Sequence, residues 1–264
     1  SRDDLTSRSY AIFGFPLALC ARRASSIASR LPGTNRLGFQ PSLAVSDCSD
    51  MFINKYRRKL NKIFGGTIIQ YSPPRSGSTL VYNILRDLFP GKYIKKRHSY
   101  ESNDSKFPMV VTYRHPLDCI ASSIQRYELI PTDEVINQQI SEFEENGIWD
   151  ILEIKDNPSV LMLRYEEFAR DFNVIFNELE IFFGIKISHQ KRRSLSGRYN
   201  INNVEKIIAS MDSFSEYDKI THWHGKHISA YKGSSYYYKE FFTDSQIRYL
   251  EYVYNKFLQE FNYI

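Results

Sequence analysis

A serine- and glycine-rich turn that contains an arginine is the stretch of this 264-residue sequence most suited to chemistry. The turn, YSPPRSGSTL at 71–80, follows the apolar run TIIQ and precedes a segment with helical spacing. A tight turn between a strand and a helix presents backbone N–H groups to an anion. Its cation, Arg75, precedes Gly77, whereas a kinase P-loop places Lys directly after its last Gly. The pattern predicts a phosphate-type site that differs from that of a kinase.

A second polar pair follows an apolar run near the middle of the chain. Arg114 ends the run MVVTYR, and Ser122 comes eight residues later, in a segment with helical spacing that begins at Pro116. On a strand that leads into a helix, this spacing lets both side chains face one anion near the strand end.

Two more polar stretches offer proton transfer and a further cation. Lys96 and His98 alternate in YIKKRHSY, so both point to one side of an extended segment. Histidine is suited to accept a proton near neutral pH. Lys232 and Gly233 lie in a polar loop ahead of a predicted helix start at Thr243.

The elements that must position these residues alternate between strands and helices. Strand-like runs lie at 67–72, 92–96, 109–114 and 159–165. Helical patterns occupy 78–89, 116–127, 132–154 as one helix or two, and most of the tail. This order predicts an α/β, P-loop-like three-layer fold with a central parallel sheet flanked by helices. Ligands bind such sheets at the carboxyl ends of the strands, where the polar residues fall.

Composition and charge narrow the class of protein. The length suits one large domain or two small ones. A net charge of +5 suits an anionic small ligand and is too weak to argue for nucleic acid. The three widely spaced cysteines, Cys20, Cys48 and Cys119, indicate neither a disulfide framework nor a zinc site, and they favour a reducing, cytoplasmic compartment.

The composition changes near Met51. Residues 1–50 contain six Arg but no Lys and no Glu, whereas the chain beyond is rich in Lys, Ile, Asn and Tyr. We therefore predict an N-terminal extension at 1–50, with Met51 as a plausible native start, and a folded domain at 51–264. The apolar stretch at 11–21 is too short to cross a bilayer as a helix, so no membrane span is expected.

Two of these stretches resemble the donor-binding motifs of the sulfotransferase family. The turn at 71–80 resembles their 5′-phosphosulfate-binding loop, P-[KR]-[SA]-G-[ST]-[ST]. The stretch at 110–127 is similar to their 3′-phosphate-binding strand and helix, in which a Ser follows an Arg by eight residues.

Two later stretches extend the resemblance to the C-terminal half. LMLRYEEF at 161–168 is similar to the family's RYED segment. The stretch at 231–243 resembles their late loop, R-K-G-x-x-G-x-W-K-x-x-F-T, although Tyr231 replaces its Arg and Tyr236 its second Gly. Together the four motifs imply a sulfotransferase domain at 51–264, resembling the compact bacterial or phage-type members.

The resemblance implies a donor and its binding residues. The family transfers a sulfuryl group from 3′-phosphoadenosine 5′-phosphosulfate (PAPS) to a hydroxyl or amine and releases adenosine 3′,5′-bisphosphate (PAP). The residues implied for the phosphosulfate are Arg75, Ser76, Gly77, Ser78 and Thr79, and those for the 3′-phosphate are Arg114, Ser122, Lys232 and Gly233. Tyr165 and Phe214 would flank the adenine or pack in the core. Basic side chains would stabilise the leaving phosphate, so no metal is expected.

The catalytic residues implied by the resemblance are His98, Lys96 and Arg75. Cytosolic members use a His in a K-x-H strand, which Lys96 and His98 match, although they follow Arg75 more closely than in those enzymes. Other branches of the family use a Glu as the base, and Glu101 lies near. His98 is therefore the predicted base and Glu101 the alternative, and a base elsewhere in the site stays open.

Two rival interpretations remain open at the level of sequence. One is a nucleotide-dependent kinase with an atypical P-loop, and the other is a non-catalytic nucleotide-binding module. The expected partner is a small-molecule or carbohydrate acceptor, and no nucleic acid is expected. The sequence identifies neither the acceptor nor the oligomeric state.

Overall fold

A computed structural model describes residues 66–211, 213 and 215–264. The predicted extension at 1–50, the predicted start at Met51 and Phe214 lie outside these residues. The strands are β1 Thr67–Tyr71, β2 Tyr93–Arg97, β3 Met109–Tyr113 and β4 Val160–Arg164. The helices are α1 Ser78–Leu88, α2 Pro116–Arg126, α3 Asp133–Glu145, α4 Asp150–Ile154, α5 Tyr165–Phe168, α6 Asn173–Phe183, α7 His189–Tyr199, α8 Ile201–Ile208, α9 Tyr238–Phe241, α10 Asp244–Val253 and α11 Asn255–Glu260. A 3₁₀ turn spans Ser102–Lys106.

The described strands form one parallel sheet in the order β2-β1-β3-β4. Tyr71 lies opposite Arg97, and Tyr113 lies opposite Arg164, so the strands end at a common edge. β2 lies on one side of β1, and β3 lies on the other side. The strand order therefore reverses between β1 and β3. Open α/β sheets bind ligands at such a point.

Each face of the sheet buries its own hydrophobic core. Along β1 and β3, Ile69 and Val111 pack with α2, α3, α4, α10 and α11, whereas Ile68 and Val110 pack with α1, α5, α6, α7 and α8. The alternation follows from the two-residue period of a strand, whose neighbouring side chains point to opposite faces. The predicted three-layer α/β fold is confirmed.

Local signals in the sequence account for most helix boundaries. Pro116 occupies the first turn of α2, and Thr132 caps α3 by accepting a hydrogen bond from the Val135 backbone N–H. Thr243 starts α10 with a capping box. The pattern at 132–154 forms two helices, because the chain turns at Gly147 with a φ of 77°.

Two helices were not among the predicted segments: α9, a short helix within the predicted polar loop, and α7. α7 has a largely charged sequence and buries only Leu195 and Tyr199, so its apolar period is too weak to recognise. None of the helices in the described part combines the length and the apolar character that crossing a bilayer requires.

Candidate active site

The carboxyl ends of the four strands surround one cavity of about 1240 Å³. The turn after β1, the end of β2, the residue after β3 and the residue after β4 all line it, together with the late polar loop. The predicted site residues that line it are Arg75, Gly77, Ser78, Thr79, Lys96, His98, Arg114, Ser122, Tyr165, Lys232 and Gly233. These residues lie up to 158 positions apart in sequence (233 − 75), so the fold is what brings them together.

The turn after β1 has the backbone geometry of an anion cradle. Gly77 has a φ of 84°, and a Cβ there would lie 2.7 Å from the Phe168 ring, so only glycine fits. Arg75 also has a positive φ, 66°, a conformation that non-glycine residues adopt at functional turns. Within the described residues, no side chain caps the first turn of α1. Its N–H groups therefore face the cavity without a side-chain acceptor.

Arg75 lies between the two predicted anion sites. Its Nε donates to Ser122 Oγ at 2.9 Å, and its Nη1 donates to the His227 carbonyl oxygen at 3.2 Å. Burial, and then the charge of Arg114, lower the pKa of Arg75 to about 10. The guanidinium remains charged at neutral pH, and an anion beside it would restore its ordinary pKa.

Arg114 is almost completely buried, with 5% of its side chain exposed. Its Nη2 donates to the Ser234 carbonyl oxygen at 2.7 Å and lies 3.6 Å from an Asp118 carboxylate oxygen. The guanidinium stacks on the Tyr165 ring, 4.3 Å from its centroid. Its Nε is buried and has no hydrogen-bond partner among the described residues. A buried donor without a partner is costly, which indicates that a ligand oxygen completes this site.

The polar loop that contains Lys232 and Gly233 closes over Tyr165. The Tyr165 hydroxyl donates to the Gly233 carbonyl oxygen at 2.9 Å, and a Cβ on Gly233 would lie 2.2 Å from that hydroxyl. The loop is tied down at Asp118, whose carboxylate accepts the Tyr236 and Tyr238 backbone N–H groups. The adjacent Lys232 is exposed and pairs with Glu205 at 3.0 Å. Gly233 is thus required by the close approach of the tyrosine.

Lys96 connects the end of β2 to the turn after β1. Its Nζ donates to Thr79 Oγ1 at 2.7 Å. Burial is the main cause that lowers the Lys96 pKa, to about 8, and the charge of Arg126 contributes. An ammonium held this close to α1 can contact an anion seated at the start of that helix.

His98 has the geometry of a general base. Its Nδ1 lies 2.7 Å from the Ser72 carbonyl oxygen, which can only accept a hydrogen bond, so Nδ1 carries the proton. In the neutral ring this leaves Nε2 as the acceptor. Burial, and then the charge of Lys96, lower the His98 pKa to about 4. The ring is therefore neutral at physiological pH, with Nε2 able to take a proton.

Two predicted residues do not face the cavity. Glu101 is half-exposed and pairs with Arg97, which points to the opposite side of β2 from Lys96 and His98. The Ser76 hydroxyl is buried and donates to the Pro73 carbonyl oxygen at 2.7 Å, so it stabilises the turn.

A group of cationic and imidazole side chains that also lines the cavity was not predicted from the sequence: Arg126, His222, His224 and His227. Two features of the sequence point to these residues. Arg126 lies four residues after Ser122, one helical turn on the same face. The three histidines fall within seven residues, THWHGKH at 221–227. Within the described part, no group of His, Cys, Asp and Glu could hold a metal ion.

Comparison with known proteins identifies the family. A family model described as a sulfotransferase domain matches residues 98–262, more than half of the chain. Mouse sulfotransferase SULT7A1 complexed with PAP superposes with a TM-score of 0.54 at 17% identity, over 74% of this chain and 84% of that one. Retinol dehydratase in complex with androsterone and inactive cofactor PAP gives 0.54 at 16% identity, over 73% and 80%.

At these identities the solved structures establish the shared fold. Comparison with curated protein sequences gives no significant match. The family match begins at His98, so the turn at 75–79 adds support that is independent of it. The chain belongs to the sulfotransferase family.

Proposed function

We propose that this PAPS-dependent sulfotransferase binds its donor along the carboxyl edge of the sheet. The phosphosulfate lies at the turn of residues 75–79, and the 3′-phosphate lies at Arg114. The observation that carries this proposal is that one cavity holds both cationic sites together with a neutral histidine, His98, whose Nε2 is free to accept a proton. The two solved relatives described above contain PAP, the product of this donor.

The residues present fit a donor with two separated anionic ends. Arg75, Lys96 and the open first turn of α1 provide charge and N–H groups at one end. Arg114 provides a buried guanidinium with an unpaired Nε at the other. Tyr165 lines the same cavity, with its ring centroid 4.3 Å from the Arg114 guanidinium, and we assign this residue to the adenine.

The chemistry assigned to these residues is direct sulfuryl transfer. The S–O bond to the 5′-phosphate breaks as the acceptor oxygen or nitrogen bonds to sulfur, and the acceptor proton passes to His98 Nε2. Arg75 and Lys96 stabilise the charge that develops on the leaving phosphate. The hydrogen bond from His98 Nδ1–H to the Ser72 carbonyl oxygen fixes the orientation of the ring, so the ring does not rotate away from the acceptor.

We further propose that the acceptor is a small hydroxyl-rich molecule such as a sugar. Gln139 and Glu142 share one face of α3, Asn146 directly follows the helix, and all three line the cavity. The turn that follows places Gly147 against His98, because a Cβ at Gly147 would lie 3.2 Å from the His98 carbonyl oxygen. Amide and carboxylate groups beside the base suit hydrogen bonds to several hydroxyls. Among the described residues that line the cavity, Glu142 is the only carboxylate.

Replacement of that carboxylate tests the acceptor class. We expect Glu142→Leu to raise KM for a methyl glycoside by roughly 10- to 150-fold, the value of a lost hydrogen bond to a charged group. PAP affinity should stay unchanged. Glu145→Leu, at an exposed position of the same helix, is the matched control. Preferential turnover of 2-naphthol over methyl glucoside and methyl galactoside, unaffected by Glu142→Leu, would contradict the sugar assignment.

Loss of Arg114 tests the assignment of the 3′-phosphate. We expect Arg114→Ala to weaken PAP by roughly 10- to 150-fold, the value of a charge-assisted contact. Binding of adenosine 5′-phosphate, which lacks the 3′-phosphate, should change little and shows that the variant is folded. Calorimetry with both ligands measures the difference, and equal weakening of the two would remove Arg114 from this role.

Transfer of labelled sulfate from PAPS to a panel of hydroxyl and amine acceptors tests the proposed function as a whole. A labelled product that forms without added Mg²⁺ is the expected result. Mg²⁺-dependent phosphoryl transfer from ATP would instead support the kinase interpretation, and PAP binding without turnover of any acceptor would support the binding module. A cytoplasmic location stays a prediction from cysteine usage.

A further inference from the structure

Arg126 extends the cationic side of the cavity beyond the residues that the sequence motifs identify. It ends α2, and because it lies four residues after Ser122, both side chains share the helix face that lines the cavity. α2 begins next to Arg114, and each residue along it advances about 1.5 Å. Arg126 therefore lies about one helical turn further from the 3′-phosphate site than Ser122 does.

The charge of Arg126 acts on the opposite end of the site. After burial, it is the next cause of the low pKa of Lys96, and it also contributes to the low pKa of His98. Burial, and then the charge of Arg75, lower the pKa of Arg126 itself to about 9. Arg126 thus shares its electrostatic environment with the residues assigned to the phosphosulfate and to the proton.

One histidine contacts the Arg126 guanidinium, and a second histidine contacts the first. His224 Nδ1 lies 2.8 Å from the Gly225 carbonyl oxygen, so Nδ1 carries the proton and Nε2 is an acceptor. Arg126 Nη2 donates to that Nε2 at 3.0 Å, and His227 Nδ1 donates to it at 2.9 Å. Because the His227 carbonyl oxygen accepts from Arg75 Nη1, the contacts run without a break from Arg126 to the phosphosulfate turn.

We propose that Arg126 contacts the sulfuryl oxygens of the bound donor, and that His224 is a positioning residue that orients Arg126. This inference rests on the proposed function. It assigns recognition of the sulfuryl group, which distinguishes PAPS from PAP, to a side chain to which the four motifs give no role. The guanidinium fork suits two oxygens of one tetrahedral group, and fixing them would orient sulfur toward the acceptor beside His98.

The test compares the affinities of PAPS and PAP, measured by calorimetry without acceptor. We expect Arg126→Met, which keeps an unbranched apolar stem but lacks the guanidinium, to weaken PAPS by roughly 10- to 150-fold and PAP by less than about threefold. Retained PAP binding shows that the variant is folded. Arg193→Met, at an exposed position of α7, is the control and should change neither affinity.

A second variant tests the positioning role of His224. His224→Phe should weaken PAPS in the same direction but less than Arg126→Met does, again with little change for PAP. In the background of Arg126→Met it should have no further effect, because there is then no guanidinium to orient. Additive losses in the double variant would overturn the positioning role.

Two results would overturn the assignment of Arg126. Equal weakening of PAPS and PAP would place Arg126 at the phosphates or in the fold. Unchanged PAPS affinity, with a raised KM for the acceptor alone, would place it at the acceptor. Failure of the wild-type protein to bind either nucleotide would contradict the proposed function itself, so the two failures are distinguishable.

Discussion

Replacement of His98 by alanine is expected to lower turnover by about 10²- to 10⁴-fold while PAP affinity stays within a few-fold. The difference between the effect on turnover and the effect on PAP affinity follows from the position of His98. His98 is fixed through Nδ1 to the Ser72 carbonyl oxygen and presents Nε2 to the acceptor, so its loss removes proton transfer and leaves the donor contacts in place. Steady-state turnover with labelled PAPS and calorimetry with PAP measure the two quantities.

The pH profile gives an independent check on the same residue. The low pKa of His98, about 4, means that the neutral base persists down to acidic pH. As pH falls through that pKa the imidazole becomes protonated and cannot accept the acceptor proton. We therefore expect kcat/KM for PAPS, which reports the free enzyme, to lose activity well below pH 6.5. His98→Ala should abolish this acidic limb.

Glu101 is the residue that discriminates between the two predicted bases. Glu101→Ala should change turnover little, because its carboxylate pairs with Arg97 on the other side of β2 and lies outside the cavity lining. Unchanged turnover in His98→Ala together with a collapse in Glu101→Ala would move the base to the carboxylate. It would also require the segment after β2 to adopt another conformation in the complex.

Arg75→Met is expected to damage both donor binding and turnover. Arg75 is the first residue of the turn at 75–79, and its guanidinium lies beside Ser122. We therefore expect it to contact the negative charge of the donor in the ground state. The contact strengthens as the leaving phosphate gains charge, so turnover should fall by about 10²- to 10³-fold, the scale for loss of one preorganised donor. PAP affinity should fall by roughly 10- to 150-fold.

Methionine keeps an unbranched Cβ and an apolar stem, so the positive φ at position 75 remains equally accessible. Arg86→Met is the control, because Arg86 lies in the last turn of α1, outside the cavity lining. A fall in PAP affinity with unchanged turnover at saturating PAPS would show that Arg75 binds the donor without stabilising the transition state.

The strand ends explain why so much of the site could be predicted from the sequence. Arg114 and Tyr165 each directly follow an apolar run, and Gly77 ends a short turn after another, so local patterns locate them at the carboxyl edge. A parallel sheet then brings these ends together whatever lies between them. The same logic predicted the fold, since helix and strand periods alternate along the chain.

The undetected part of the site depends on contacts between distant segments. Gln139 lies on a helix whose cavity-facing side is set by tertiary packing, and the sequence of that helix does not show which polar residue faces inward. The contact that orients Arg126 comes from His224, which lies 98 residues away in sequence. Glu101, in contrast, was predicted as a candidate base but does not line the cavity. Its nearness to His98 in sequence suggested a shared site, but the alternation of β2 turns its partner Arg97 to the other side.

Calorimetry of nucleotide binding shows whether this cavity is a PAPS site, because it needs no knowledge of the acceptor. We expect PAP to bind without added metal, and adenosine 5′-phosphate to bind more weakly by roughly 10- to 150-fold, since it lacks the group held by Arg114. ATP with Mg²⁺ should not exceed PAP in affinity and should not be hydrolysed. Equal affinity for PAP and adenosine 5′-phosphate, or tighter binding and hydrolysis of ATP with Mg²⁺, would contradict the assignment of this cavity to PAPS.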